Sequence, residues 1–314
     1  MSVLDSLNFA EKVLQIALHT NSSKFVTHKN KLEIVMSWLC DEQSKVHFQN
    51  ELSYLMLKTI NRELADQVSP FTKEQWDTEI VARWDEFVKS PQCPKMACKE
   101  EELGYLATML MTTYVAEQYR YCDLVKVNKG DVFIDCGACF GDTALWAYHN
   151  GASKVYSFEP SPYNYQVLVE NFKANGHDTA TAINLAVGDK ECKIPFAAAP
   201  GMAGASYATA DGNIEVDCIV LDDWIEKNKI KPDFLKYDIE GAELEALKGS
   251  VNTIQKYRPR MCVCLYHKIE HMWELPIFIK SINPDYEFYC RKNSYHNEFV
   301  LYCVDRSATT KAKK

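Results

Sequence analysis

The sequence predicts an α/β protein: a mainly parallel sheet wound on both faces, closed by an antiparallel C-terminal hairpin and preceded by a helical region. Three observations carry that expectation. Short apolar runs at 132–134, 155–158, 182–187, 234–237 and 261–266 alternate with segments of helical period, as repeated strand-helix-strand units do. The first run, VFIDCGACFGDT from Val132 to Thr143, passes from apolar residues through two glycines into a helical pattern. Finally, Tyr286 to Arg291 and Glu298 to Val304 are strand-like and are separated by the polar stretch Lys292 to Asn297, which reads as a hairpin.

In chain order, residues 1–100 read as a helical domain. Leu4, Leu7, Val13, Leu14, Ile16 and Ala17 share one apolar face, and the pattern continues through Leu32 to Leu39 and Phe48 to Ile60. Ser69 and Pro70 break it. Thr72 with Gln75 then forms a capping-box signature for a helix through Trp76, Ile80, Val81, Trp84 and Phe87. This region covers the sheet, or serves as a substrate lid or dimer arm, so a homo-oligomer through these helices is an open expectation. Residues 101–305 form the second domain, opening on a Met- and Tyr-rich helix over 101–122 whose stripe reads as core. Ile214 to Val220 alternates as a further strand, and the basic tail 306–314 has nothing to bury and is expected to be disordered.

Composition excludes several classes. Of 314 residues, 47% are hydrophobic and 25% charged, enough for a globular core. Net charge is −8, from 43 acids against 35 bases, which disfavours a nucleic-acid backbone and favours a small or neutral substrate. No run of eighteen apolar residues and no basic-flanked leader is present, so a cytoplasmic protein without a membrane segment is expected. The twelve cysteines are scattered through a long chain and read as reduced and structural. Cys136 and Cys139 are spaced as C-x-x-C, yet no second pair completes a zinc site and no iron–sulfur motif appears.

The chemistry gathers around the first turn. Gly137 and Gly141 suit a sharp bend behind which a helix offers unpaired amides to a ligand. The spacing departs from the dinucleotide G-x-G-x-x-G, and Asp135, two residues before Gly137, would repel a pyrophosphate while suiting a cationic amino-acid moiety such as that of S-adenosylmethionine. Asp135, Gly137, Ala138 and Gly141 are therefore expected at the methionine end, with Asp142 and Thr143 either beside them or capping the helix. Glu159, followed by Pro160 at the end of the second run and about twenty residues on, suits a ribose diol. Asp238 and Glu240 follow the 234–237 run and His267 follows the 261–266 run, at the sheet edge where open α/β folds bind ligands. These three are the candidate catalytic groups. Glu243 ranks below them, favoured in the first turn of a helix toward Lys248. Asp238, Glu240 and His267 also offer donors to a divalent ion, but without a fixed spacing no metal is assigned.

Four segments carry a resemblance: IDCGACFGDT, FEP, NLAVGD and DIEGAELEALKG. They resemble those of class I methyltransferases of the FkbM family, although Cys139 stands where that family usually has a polar residue or glycine. Leu39 to Phe48 resembles N-terminal segments of part of the family as well. The resemblance implies a Rossmann-like class I methyltransferase sheet, S-adenosyl-L-methionine as methyl donor, Asn184 and Ala186 flanking the adenine, and O-methylation of a sugar or secondary-metabolite hydroxyl. An N-methyltransferase acting on a small molecule or peptide and a non-catalytic Rossmann-like binding protein are the alternatives. An NAD-dependent oxidoreductase is disfavoured by the missing third glycine and the closing hairpin.

Overall fold

The computed structural model describes residues 21–177, 181–198, 204 and 206–307. The first apolar face read from the sequence, Leu4 to Ala17, and most of the basic tail lie outside them. Seven strands form the main sheet: β1 (Val132–Cys136), β2 (Lys154–Phe158), β3 (Thr181–Ile183), β8 (Phe234–Tyr237), β9 (Arg260–Cys264), β10 (Glu287–Lys292) and β11 (Phe299–Val304). Their order is β10-β11-β9-β8-β1-β2-β3. The run from β9 to β3 is parallel, and β11 and β10 close it antiparallel. Strand order reverses at β1, so the loops after β1 and β8 open a crevice at their carboxyl ends, where open sheets bind ligands.

Both faces of the sheet are buried, which is why its strands read as nearly continuous apolar runs. Ile134, Leu235, Tyr237, Met261 and Val263 point into one core, while Phe133, Val155, Phe234, Cys262 and Cys264 point into the other. Phe133 stacks on Phe234 with ring centroids 4.9 Å apart, a contact on the order of 1 kcal/mol beyond its burial.

The 182–187 run divides. It supplies β3 and then β4 (Ala186–Gly188), which leaves the main sheet and pairs with β7 (Ile214–Val220). The break falls at Asn184, whose side-chain amide donates to the carbonyls of Glu159 and Pro160 at 2.8 and 3.0 Å. With β5 (Cys192–Ala197) and β6 (Tyr207–Ala208), these strands make a second sheet ordered β4-β7-β5-β6. Alternation in sequence could not tell which sheet β7 joins.

Two expected helices are interrupted. The capping box at Thr72 and Gln75 forms, but the chain then passes through a wide turn at Trp76–Ile80 and a tight one at Val81–Arg83 before Trp84–Lys89. The 101–122 helix covers only Leu103–Leu110 plus a wide turn at Met111–Val115. Glu117, at φ +50, ends it, and the chain beyond carries Gln118 and Tyr119 past the crevice.

Helices at Asn21–Thr27, Lys29–Trp38, Glu42–Leu57 and Arg62–Val68 pack against the sheet. Phe25, Leu32, Val35, Leu39 and Phe48 lie in the same core as Ile134 and Leu235. The Cys40 amide donates to the carbonyl of Phe288 at 2.9 Å, covering the β10 edge. Among the described residues no helix is long and apolar enough to cross a membrane.

Candidate active site

The turn after β1 is shaped by its glycines. Gly137 has φ +89, and a Cβ there would stand 1.8 Å from the carbonyl oxygen of Asp238, so only glycine fits. Gly141, at φ +92, caps the helix Asp142–His149, and a Cβ on it would strike Leu168 at 2.5 Å. Asp142 stands in the first turn of that helix and accepts from the Thr113 hydroxyl at 2.6 Å.

Beneath the turn lies a feature the sequence reading passed over. Lys236, in the middle of β8, is 2% exposed; its Nζ donates to the carbonyl of Gly137 at 2.6 Å and lies 3.1 Å from Asp135 Oδ1. Burial works against that charge, but Asp135, Asp238 and Asp142 together raise its pKa. The available signal was a lysine inside an otherwise apolar strand, FLKY, which is costly unless paired. Asp135 is fully buried and faces this lysine beneath the turn rather than the cavity.

An open cavity runs over the turn. Gly137, Asp142, Thr143, Glu159, Pro160, Asp238 and Glu240 all line it; Asp135, Ala138, Gly141 and His267 do not. An apolar slot continues from it between Pro160, Leu185, Ala186 and Ile239. Asn184 instead pins the loop carrying Glu159 and Pro160.

Glu159 accepts from the backbone amides of Cys139 and Ser161, both at 2.8 Å. Burial pushes its carboxyl up to about 7, against the pull of those amides and of Lys236. Burial likewise pushes Asp142 up to about 6, against the Thr113 hydroxyl and Lys236.

The opposite wall is a polar cluster. Asp238 accepts from the Tyr119 hydroxyl at 2.7 Å and from the Tyr266 hydroxyl at 2.9 Å; the sequence reading took the first for core and placed the second at the end of a strand, without pairing either with Asp238. Burial opposes the charge on Asp238, but Lys236, His267 and the two phenols hold its pKa below the ordinary value. Asp238 caps no helix: the next helix, Glu243–Lys248, has Ala242 at its N-cap. Glu240 sits at φ +54, its pKa raised by burial against the pull of His267.

His267 lies behind these carboxylates. Its Nδ1 is 2.7 Å from Glu243 Oε1, and its Nε2 is 3.4 Å from Asp238 and 3.5 Å from Glu240. Burial opposes its protonation, but Glu243 first, then Glu240 and Asp238, raise its pKa well above the ordinary value. His271 stands 3.3 Å from the other oxygen of Glu243; burial lowers its pKa to about 4.

Sheet order, together with a turn facing a buried carboxylate, defines the class I methyltransferase architecture. The Methyltransferase FkbM domain family matches residues 135–295. The chain belongs to this family, a family of S-adenosylmethionine-dependent methyltransferases. Over 135 residues it is 30% identical to the hexuronic acid methyltransferase AglP of Haloferax volcanii, an alignment covering 42% of this chain and 55% of that protein. The chain thus spans about half the length of this curated relative. Its fold is similar to the crystal structure of methyltransferase FkbM from Methylobacillus flagellatus KT, with a TM-score of 0.60 at 20% identity, covering 90% of this chain and 60% of that one.

Proposed function

We propose that this chain transfers a methyl group from S-adenosylmethionine to a hydroxyl of a sugar or sugar acid. The observation that carries the reading is one cavity lined by Glu159, Asp238 and Glu240 together, with an apolar slot beside it that shares Gly137, Pro160, Phe196 and Ile239.

The residues fit the methyl donor. Glu159 is a buried carboxylate on the cavity wall and suits a ribose diol. The slot between Pro160, Leu185, Ala186 and Ile239 suits a flat apolar base. Gly137, Asp142, Thr143 and Gln118 remain for the amino-acid end. When bound, the sulfonium supplies a methyl group that is already activated.

The protein must then orient the acceptor, exclude water and deal with a hydroxyl proton whose pKa is ~16. Asp238 and Glu240 are the wall carboxylates that can engage that hydroxyl. Tyr119 and Tyr266 fix the orientation of Asp238, and His267 stands behind both acids as a positioning residue. The sugar-acid class rests on the name of the Haloferax volcanii relative and on the polar character of this wall. A homo-oligomer through the N-terminal helices stays part of the proposal, supported by the exposed Val26, Ile34 and Val46.

Calorimetry with S-adenosylhomocysteine tests the cofactor end. Glu159→Ala should weaken binding by more than ~1 kcal/mol, the loss of a hydrogen bond to a charged acceptor. Labelled-methyl transfer to a panel of uronic acids, neutral sugars and amines tests the acceptor class. A wild-type protein without affinity for the adenosyl ligand would overturn the reading.

A further inference from the structure

We propose that Cys192 on β5 and Cys218 on β7 are a redox-active pair that closes to a disulfide and fastens the sheet walling the apolar slot. The two cysteines stand directly opposite each other in the antiparallel ladder, in the register that also pairs Ile194 with Val216 and Phe196 with Ile214. Residues 193–217 separate them in sequence, so the pair exists only in the fold. All twelve cysteines carry free thiols, and among the described strands no other register pair sets two of them opposite.

The ladder sets the distance. Pro195 has no N–H, and its carbonyl accepts from the Thr209 amide at 3.1 Å, so residue 195 turns its polar edge toward β6 and away from β7. Hydrogen-bonded and non-hydrogen-bonded pairs alternate along an antiparallel ladder. Three positions back, Cys192 and Cys218 therefore make a hydrogen-bonded pair, with Cα atoms about 5.5 Å apart. That separation suits a disulfide. The thiols already meet, since Cys218 shares a side-chain hydrogen bond with Cys192. Gly188 leaves room for the inner sulfur: a Cβ there would stand 2.8 Å from Cys218 Sγ.

The two sulfurs differ in access. Cys192 is half-buried and Cys218 is buried. Burial first, and then the Cys192 sulfur, push the Cys218 thiol up to about 11, so Cys192 makes the first attack. Its thiolate displaces one thiolate from a low-molecular-weight disulfide such as glutathione disulfide, forming a mixed disulfide. Cys218 then gives up its proton and attacks the Cys192 sulfur, and the second thiolate leaves. The protein has lost two protons and two electrons, and the oxidant has become two thiols.

The bond reaches the cavity through its neighbours. Ala186, Phe196, Val216 and Cys218 share one apolar cluster, with Cys192 and Ile194 packed against it. Of these, Ala186, Ile194 and Phe196 line the slot. A crosslink from β5 to β7 holds that wall in place before a ligand arrives, and such preorganisation raises affinity. This last step rests on the base-binding slot assigned above.

The test incubates the full chain in glutathione buffers of rising disulfide fraction, quenches with N-ethylmaleimide and maps the peptides by mass spectrometry. The expected result is one disulfide joining Cys192 to Cys218, with the other ten of the twelve cysteines alkylated. Cys218→Ser should stop at a glutathione adduct on Cys192. Cys192→Ser, a change at a half-buried thiol, should keep the wild-type melting temperature and form no bond. A disulfide elsewhere, or no bond in a fully oxidising buffer, overturns the pair. On the same samples, the oxidised chain should bind S-adenosylhomocysteine at least about threefold more tightly than the reduced chain, a difference absent in Cys192→Ser. Equal affinity overturns the fastening of the slot. A chain that forms the bond but binds no nucleoside in either form sinks the methyltransferase reading and leaves the cysteine pair standing.

Discussion

Glu159 joins two opposing demands at one carboxyl. On the proposed reading it is buried to shape the ribose end yet must be charged to accept strongly from a diol, and burial moves its pKa from 4.5 up to about 7. The groups facing it are the Cys139 and Ser161 amides, Asn164, Lys236 and the Cys139 thiol. The sign follows from the protonated form prevailing below 7. Without ligand, a raised acid pKa makes stability fall as pH climbs from about 4.5 toward 7, because the unfolded chain releases this proton first. With ligand, binding selects the carboxylate. S-adenosylhomocysteine affinity should therefore fall about tenfold between pH 8 and pH 6, while Glu159→Gln should bind weakly with no such slope. A wild-type affinity flat across that range in calorimetry would show that this carboxyl does not hold the ribose. The place of Glu159, just past the second strand and on the cavity wall, was legible in the sequence because the apolar run stops at Phe158. Lys236 was not, because its partners Asp135 and Gly137 meet it only when β1 and β8 align side by side. The same alignment puts Asp135 beneath the turn, where its spacing from Gly137 alone suggested ligand contact.

At the scale of elements, the N-terminal helices do more than cover apolar surface. The Glu42–Leu57 helix lies beside β10, where Ser44 Oγ accepts from the Cys290 amide at 3.0 Å and Glu51 meets Lys292 at 2.8 Å, both of the latter fully buried. Lys292 also stands 3.8 Å from the centre of the Tyr54 ring. A desolvated pair of this kind adds little net stability, but removing one partner strands the other charge. Lys292→Met should therefore cost about 3–5 kcal/mol in urea unfolding. The double change Glu51→Leu with Lys292→Met should recover most of that loss. If the single and double variants lose equally, the pair is not what joins helix and hairpin. Helix existence was readable from apolar period, and so was the hairpin. The partner of each element was not, since Glu51 and Lys292 are 241 residues apart and period carries no information about which surfaces meet.

For the whole molecule, the question is whether the chain divides near residue 100, as its helical apolar period suggests. Phe25, Leu32, Val35, Leu39, Phe48 and Leu55 are buried in the same core as Ile134, Leu235, Met261 and Leu301. Each such side chain contributes ~1.5–3 kcal/mol when buried, so these six together carry roughly 10 kcal/mol or more, comparable with the entire net stability of an ordinary domain. Removing residues 1–100 would also expose the β10 edge that Cys40 now caps, and an open apolar edge invites aggregation. A chain beginning at residue 101 should therefore fail to give a soluble monomer with a cooperative melt, and should not bind S-adenosylhomocysteine. The full chain should melt in one transition that the ligand raises, since a ligand at 100 times its Kd adds ~2.7 kcal/mol to the folded state. A truncated protein that melts within a few degrees of the full chain and binds the nucleoside equally well would establish two independent units. The helices would then act on the cavity from outside, as a lid or an arm, rather than as part of the core that holds β1 and β8 in register.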